Sequence, residues 1–202
     1  MKKAYLSIDL DFWMNQTTPQ RANEFFSKVF ALDVPKLFVV EHEELIDDVD
    51  ESNADILYNL DFHSDICSEN QIYKGESPED GTWVNFVSWK KQGEYVWICP
   101  DIVECYDCAS GICHGEDEYD PFKYQTECAW RSIILTQKLK TIDWGAISHV
   151  GVCLSPCYSS IDSIKDITKK LGLSEKKLYN LIWRQPLMSP QNRTRGTLSK
   201  AA

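Results

Sequence analysis

Apolar runs and polar gaps alternate along this chain with two different periods. Ala4 to Asp9 (A-Y-L-S-I-D) is apolar and β-prone, the pattern of a buried strand. Pro19 to Leu32 follows with helical spacing: Pro19 suits a first turn, and Phe25, Phe26, Val29 and Phe30 form one apolar stripe. Pro35 ends that helix. Lys36 to Glu41 (K-L-F-V-V-E) and Ile56 to Asp61 (I-L-Y-N-L-D) read as strands, joined by an acidic helix or loop over Glu43 to Asp55. Cys67 to Gly81 is polar and loop-like, and Trp83 to Lys91 suits a short helix. Glu94 to Cys99 (E-Y-V-W-I-C) is a further strand, stopped by Pro100. Asp101 to Pro121 is an irregular, Cys-, Gly- and acid-rich loop, and Phe122 to Lys140 has a helical pattern with Trp130, Ile133, Ile134 and Leu135 inward. Ile147 to Leu154 is a last buried strand, before helices near Ile161–Leu171 and Ser174–Trp183. Strand–helix–strand alternation with apolar strands predicts an α/β fold on a mainly parallel sheet. One domain is expected over residues 1–184, with the helix pair at 161–184, and a polar, mobile tail over 185–202.

Composition narrows the class. A chain of 202 residues with 43% apolar and 12% aromatic side chains has the length of one domain and can bury a core. No apolar run approaches the roughly 18–20 residues of a membrane span. Met1-Lys2-Lys3 leads directly into the strand holding Asp9 and Asp11, unlike an export signal, so a cytoplasmic location is expected. The net charge of -10 is unevenly spread. Residues 163–202 carry nine Lys and Arg against Asp166 and Glu175, a charge of +7, which leaves −17 on residues 1–162. Such a body repels nucleic acid and favours cations. The eight cysteines (Cys67, Cys99, Cys105, Cys108, Cys113, Cys128, Cys153, Cys157) are expected as thiols or metal ligands rather than disulfides.

Three strand ends carry the chemistry: Ser7-Ile8-Asp9-Leu10-Asp11-Phe12, Val39-Val40-Glu41-His42, and Asn59-Leu60-Asp61-Phe62-His63-Ser64-Asp65. In extended chain, positions i, i+2 and i+4 share a side. Asp9 and Asp11 should then point together, as should Asp61, His63 and Asp65, with Leu10 and Phe62 facing the core. Ligands of open parallel sheets bind beyond the carboxyl ends of the strands. Four aspartates and two histidines would meet there. Four carboxylates repel one another strongly without a counter-charge, and one or two divalent cations supply it. An oxygen-rich, partly imidazole donor set suits Mn²⁺, or Fe²⁺ and Co²⁺, better than thiolate-loving zinc. An isolated Asp-x-Asp is a common turn or cap; the combination of all three motifs is not.

Asp61-Phe62-His63-Ser64-Asp65-Ile66 resembles the D-x-H-x-D-I signature of the ureohydrolases, the arginase and agmatinase family. Ser7-Ile8-Asp9-Leu10-Asp11 resembles that family's S-x-D-x-D signature, and His42 matches its first metal histidine. The whole set is similar to a smaller arginase-related family that includes peptide arginases, which convert arginine to ornithine in ribosomally made peptides. The resemblance covers roughly residues 5–66, with the two signatures in permuted order, and Phe12-Trp13 stands where the family has Asp-Pro. It implies an arginase-like three-layer sandwich with permuted strand order and a pair of Mn²⁺ ions. Asp61 and Asp9 would bridge the two metals, His42 and Asp65 would complete one site, and His63 and Asp11 the other. It further implies that a hydroxide held between the metals, oriented by Asp65, attacks a guanidinium carbon and releases urea. The substrate would be an arginine-containing peptide or a small guanidino compound. No motif identifies the remaining groups: His114 is the candidate proton shuttle, and Glu41, Glu43, Asp101 and Glu104 are candidate guanidinium partners.

Other signals support alternatives. Cys105, Cys108 and Cys113, with His114 and Cys128, form a candidate zinc set with non-standard spacing. Ile164 to Trp183 resembles a helix-turn-helix, with Gly172 in the turn and Ser174 as cap. The plainer reading is an amphipathic helix pair packed on the sheet through Leu171, Leu173, Leu178, Leu181 and Ile182. A deacetylase-like metal amide hydrolase is the second enzyme reading, although it needs one zinc and fewer carboxylates. A regulatory protein using the helix pair is the non-catalytic one.

Overall fold

In the computed structural model, residues 2–13, 19–66, 78, 81–99, 130–156 and 161–183 are described. Six strands form one sheet: β1 (Ala4–Asp9), β2 (Lys36–Val39), β3 (Ile56–Leu60), β4 (Glu94–Ile98), β5 (Ser132–Thr136) and β6 (Ile147–Cys153). Their order across the sheet is β2-β6-β1-β3-β4-β5, and every pairing is parallel. The last strand thus inserts between the first two. Central strands β1 and β3 are buried along their whole length, as expected of strands covered on both faces.

Alternate residues of each strand feed two cores. Ala4, Leu6 and Ile8 face one cluster, joined by Phe25, Phe26 and Val29 of α1 (Pro19–Ala31). The same cluster takes Ile164, Ile167, Leu171 and Leu178 from α3 (Ile161–Lys170), its following turn and α4 (Glu175–Trp183). Tyr5, Leu57, Tyr95 and Trp97 face the other cluster, which is closed by Val49 of α2 (Ile46–Glu51) and by Trp83 and Val84 of a short 3-10 helix. Helices on both faces of a parallel sheet make the expected α/β three-layer arrangement.

The helix pair packs as the amphipathic reading requires, with Leu173, Leu181 and Ile182 half-buried against the sheet core. Gly172, at φ +83°, ends α3 in the left-handed conformation, and the Leu173 N–H reaches back to the Thr168 carbonyl at 2.9 Å, a Schellman closure. Ser174 then caps α4 through its Oγ, 3.3 Å from the Lys177 N–H.

Three expectations change. The helical pattern over Phe122 to Lys140 contains strand β5 instead; residues 122–129 lie outside the described set. Ile133 is buried but Ile134, expected inward, is exposed on the other side of this edge strand, and tertiary pairing with β4 outweighs the local helical spacing. Trp83 to Lys91 yields only a 3-10 helix over Trp83–Phe86. Phe30 leaves the buried stripe of α1 at 57% exposure and lies over the Gly172 turn. No helix among the described residues is long and apolar enough to cross a membrane.

Candidate metal centre

The carboxyl ends of β1, β2 and β3 meet at a cavity of about 140 Å³ lined by Asp9, Asp11, His42, Asp61, His63, Asp65, Gly81 and Ser155. All six sequence-predicted donors are therefore together. The manner of convergence differs from an extended alternation, because β1 stops at Asp9 and β3 at Leu60. Two matching turns take over. The Asp9 carboxylate accepts the Asp11 N–H at 3.0 Å, and the Asp61 carboxylate accepts the His63 N–H at 2.8 Å. Each is an aspartate bonding its own backbone two residues on, and each folds the i+2 side chain back to the site. Leu10 and Phe62 are buried between them, as the pattern requires.

His42 arrives on the 3-10 helix His42–Leu45 that follows β2. That helix begins with a reciprocal cap: the Glu41 side chain accepts a backbone N–H of the first turn, and Glu44 accepts the N–H groups of Val40 and Glu41 at 2.8 and 3.2 Å. Glu41 is thus a capping residue, and neither it nor Glu43 lines the cavity among the described residues. The His42 ring is fixed from both ends. Its Nε2 lies 3.2 Å from Ser7 Oγ, while Nδ1 lies 3.2, 3.4 and 3.5 Å from Asp61, Asp65 and Asp9. His63 sits at the mouth with its side chain 40% exposed, 3.8 Å from both Asp11 and Asp61.

Charge is highly concentrated here. Burial and the neighbouring Asp61 charge push Asp9 up to about 6. Burial, with Asp9 and Asp61 alongside, holds Asp11 well above the ordinary carboxylate range. Burial and Asp61 do the same to Asp65. Burial alone would lower His42, but hydrogen bonds to Asp61 and Asp65 raise it well above 6.5. Burial also opposes ionisation of Asp61, yet the His42 hydrogen bond and charge outweigh it and hold Asp61 below the usual range. One imidazolium cannot balance four buried carboxylates. Asp11 Oδ1 is buried with no hydrogen-bond partner among the described residues, an orphan that a cation would satisfy. Among the described residues three donor groups fit an ion: His42, Asp61 and Asp65; Asp11, Asp61 and His63; and Asp9, His42 and Cys153, each with donor atoms within 4.8 Å of one another.

A supporting shell escaped sequence reasoning. The Trp83 indole donates to Asp65 Oδ2 at 2.7 Å and stacks on His42 with centroids 5.1 Å apart. The Asn59 amide donates to Asp65 at 3.2 Å and toward Asp61 at 3.4 Å. Ser155 donates to Asp9 Oδ2 at 2.6 Å. Asp65 and Ser155 both hold positive φ, 51° and 40°, and such strain in non-glycine residues gathers at functional sites. One signal was available: Asn59, a lone amide inside an apolar strand, must find partners when buried.

His149 lies away from this cavity, stacked on Tyr5. His114, Asp101, Glu104, the Cys105, Cys108, Cys113 and Cys128 set, and the tail 185–202 lie outside the described residues. Buried Asp and His side chains able to hold a metal ion are thus present at the strand ends. No family model matches the chain, and no curated protein or solved structure was found similar to it.

Proposed function

We propose that the chain is a binuclear metal-dependent hydrolase of a guanidino group, acting on arginine side chains in peptides to give ornithine and urea. The observation that carries this reading is the meeting of Asp9, Asp11, His42, Asp61, His63 and Asp65 in one buried cavity open at His63. Their types and order are those that resemble the permuted ureohydrolase signatures. Two divalent cations, with Mn²⁺ the expected pair, would be held by these six residues and would lower the pKa of a water so that hydroxide forms near neutral pH.

The protein's own groups account for the rest. Asp65, clamped by Trp83 and Asn59, orients the attacking water through its carboxylate. Asp9 is fixed by Ser155 and by its turn to Asp11, so the site is held rigid before substrate arrives. With these four carboxylates neutralised by the two cations, residues 1–162 would still carry a charge of about −13, which attracts a cationic side chain. Water's oxygen ends in urea, its protons pass to the leaving nitrogen, and an ornithine ammonium replaces the guanidinium. A cavity of about 140 Å³ accommodates a guanidino head but not a peptide backbone, which would remain outside.

The test is mass spectrometry of arginine-containing peptides incubated with the full chain and Mn²⁺. Each converted arginine loses the mass of one cyanamide unit, with urea formed in equal amount. Absence of both, on a broad peptide panel and on free arginine and agmatine, overturns the reading.

A further inference from the structure

β6 lies between the strands that deliver Asp9 and His42, and its last residue is a cysteine. Cys153 stands in register with Asp9 of β1 and Val39 of β2. Its Sγ, a carboxylate oxygen of Asp9 and a ring nitrogen of His42 lie within 4.8 Å of one another, and the three residues are only 1%, 5% and 2% exposed. Asp9 Oδ2 and His42 Nδ1 are already 3.5 Å apart. A tetrahedral ion with bonds of about 2.0–2.3 Å has ligand–ligand edges of roughly 3.3–3.8 Å, so closing this triad needs movements of about 1 Å. Ser155 Oγ, 3.2 Å from Sγ, links the thiol to Asp9.

The second donor group differs in chemistry and in access. Asp11, Asp61 and His63 offer only oxygen and nitrogen, and the His63 side chain is 40% exposed. A sulfur donor selects thiophilic ions, whereas carboxylate-rich donor sets suit harder ones. The two halves of the centre are therefore unlike.

We propose that Cys153 is a metal ligand whose thiolate, with Asp9 and His42, makes the inner half of the centre a site for a thiophilic cation such as Zn²⁺, Fe²⁺ or Co²⁺. The outer half, at Asp11, Asp61 and His63, takes the harder Mn²⁺. This rests on the metallohydrolase reading above and replaces a pair of like ions by two unlike positions. As the sulfur–metal bond forms, the thiol proton leaves to solvent and no electron is transferred. The inner ion, sealed from solvent, exchanges slowly, and the outer one exchanges quickly.

The test is Co²⁺ titration of the metal-free full chain, following near-ultraviolet absorption and bound metal by elemental analysis. A sulfur-to-cobalt charge-transfer band is expected with the first equivalent bound. It persists in a Cys105→Ser/Cys108→Ser/Cys113→Ser variant and disappears in Cys153→Ser, which binds its inner ion at least tenfold more weakly. Cobalt bound without a band, or a band unchanged in Cys153→Ser, overturns the proposal. If Cys153→Ser fails to fold, cadmium NMR of a variant with the other seven cysteines changed to Ser decides: one resonance shifted downfield by sulfur supports the ligand, and only oxygen–nitrogen resonances overturn it. The peptide mass assay on the same preparations separates the two readings. Conversion without the band refutes the thiolate alone, and the band without conversion refutes the guanidino activity alone.

Discussion

Trp83 binds Asp65 through a 2.7 Å hydrogen bond from the indole N–H while its ring lies against His42. One side chain thus sets both a carboxylate and an imidazole of the candidate centre. Trp83→Phe keeps most of the ring and deletes the donor. Mn²⁺ affinity is expected to fall about 10–100-fold, the usual effect of losing a partner behind a metal ligand. Calorimetric titration measures this; an unchanged affinity would show that Asp65 needs no help from the indole.

Asp11→Asn removes one buried charge whose Oδ1 has no hydrogen-bond partner among the described residues. Without metal, at about pH 8, the variant should melt about 2–4 °C above the wild type, corresponding to roughly 1 kcal/mol in a domain of this size. With Mn²⁺ the order should reverse, because the outer ligand set is weakened. Thermal denaturation with and without Mn²⁺ reads both signs. A metal-free variant that melts below the wild type contradicts the charge argument.

The pH dependence follows from the same crowding. Asp9, raised from 3.8 to about 6, weakens the metal-free fold as pH rises through that value and the carboxylate ionises. Asp11 and Asp65, also raised, act in the same direction. His42, raised from 6.5, contributes fully below that value and loses its contribution as pH climbs through its folded one. Asp61, lowered, opposes them, but its contribution is already complete above the ordinary carboxylate range. Metal-free stability should therefore decline from about pH 5 to pH 8. Cation binding needs the ionised acids, so stabilisation by Mn²⁺ should grow over the same interval. Melting curves across the range test this, and a Mn²⁺ shift that is largest at low pH would refute it.

Gly151→Ala probes the seat of His42. An added Cβ would lie 2.6 Å from the Tyr5 hydroxyl and 2.8 Å from Leu45 Cδ2. Leu45 ends the 3-10 helix that His42 begins. Overpacking should cost about 1–3 kcal/mol and weaken Mn²⁺ binding together with stability. Urea denaturation and metal titration check the pair; loss of stability with full metal affinity would uncouple the core from the site.

Much of this organisation was readable in the residues. Ala4–Asp9 and Ile56–Leu60 are nearly continuous apolar runs, and a strand buried on both faces must be so. The six donors stand at or just beyond strand ends, so the parallel topology brings them to one edge of the sheet. Other features depend on contacts that no local pattern encodes. Ser132–Thr136 pairs as a strand because β4 offers an edge, whatever its own spacing suggests. Trp83 and Ser155 reach Asp65 and Asp9 across 18 and 146 positions of chain. The turn that carries His63 depends on an aspartate bonding its own backbone, where a sequence pattern predicts only extended chain.

The insertion of β6 between β2 and β1 has a consequence for the timing of synthesis. Asp9, His42 and Asp61 all leave the ribosome well before Ile147–Cys153; β1 pairs directly with β3, but β2 touches the sheet only through β6 and takes its place only after β6 has been made. Sheets assembled from such distant segments close late. The carboxylates stand on β1 and β3, which pair directly, but His42 follows β2 and can join them only once residues up to about Cys153 exist. Capture of a cation by the full donor set is thereby deferred until β6 is made, and a stop in translation before Ile147 leaves the carboxylates without His42.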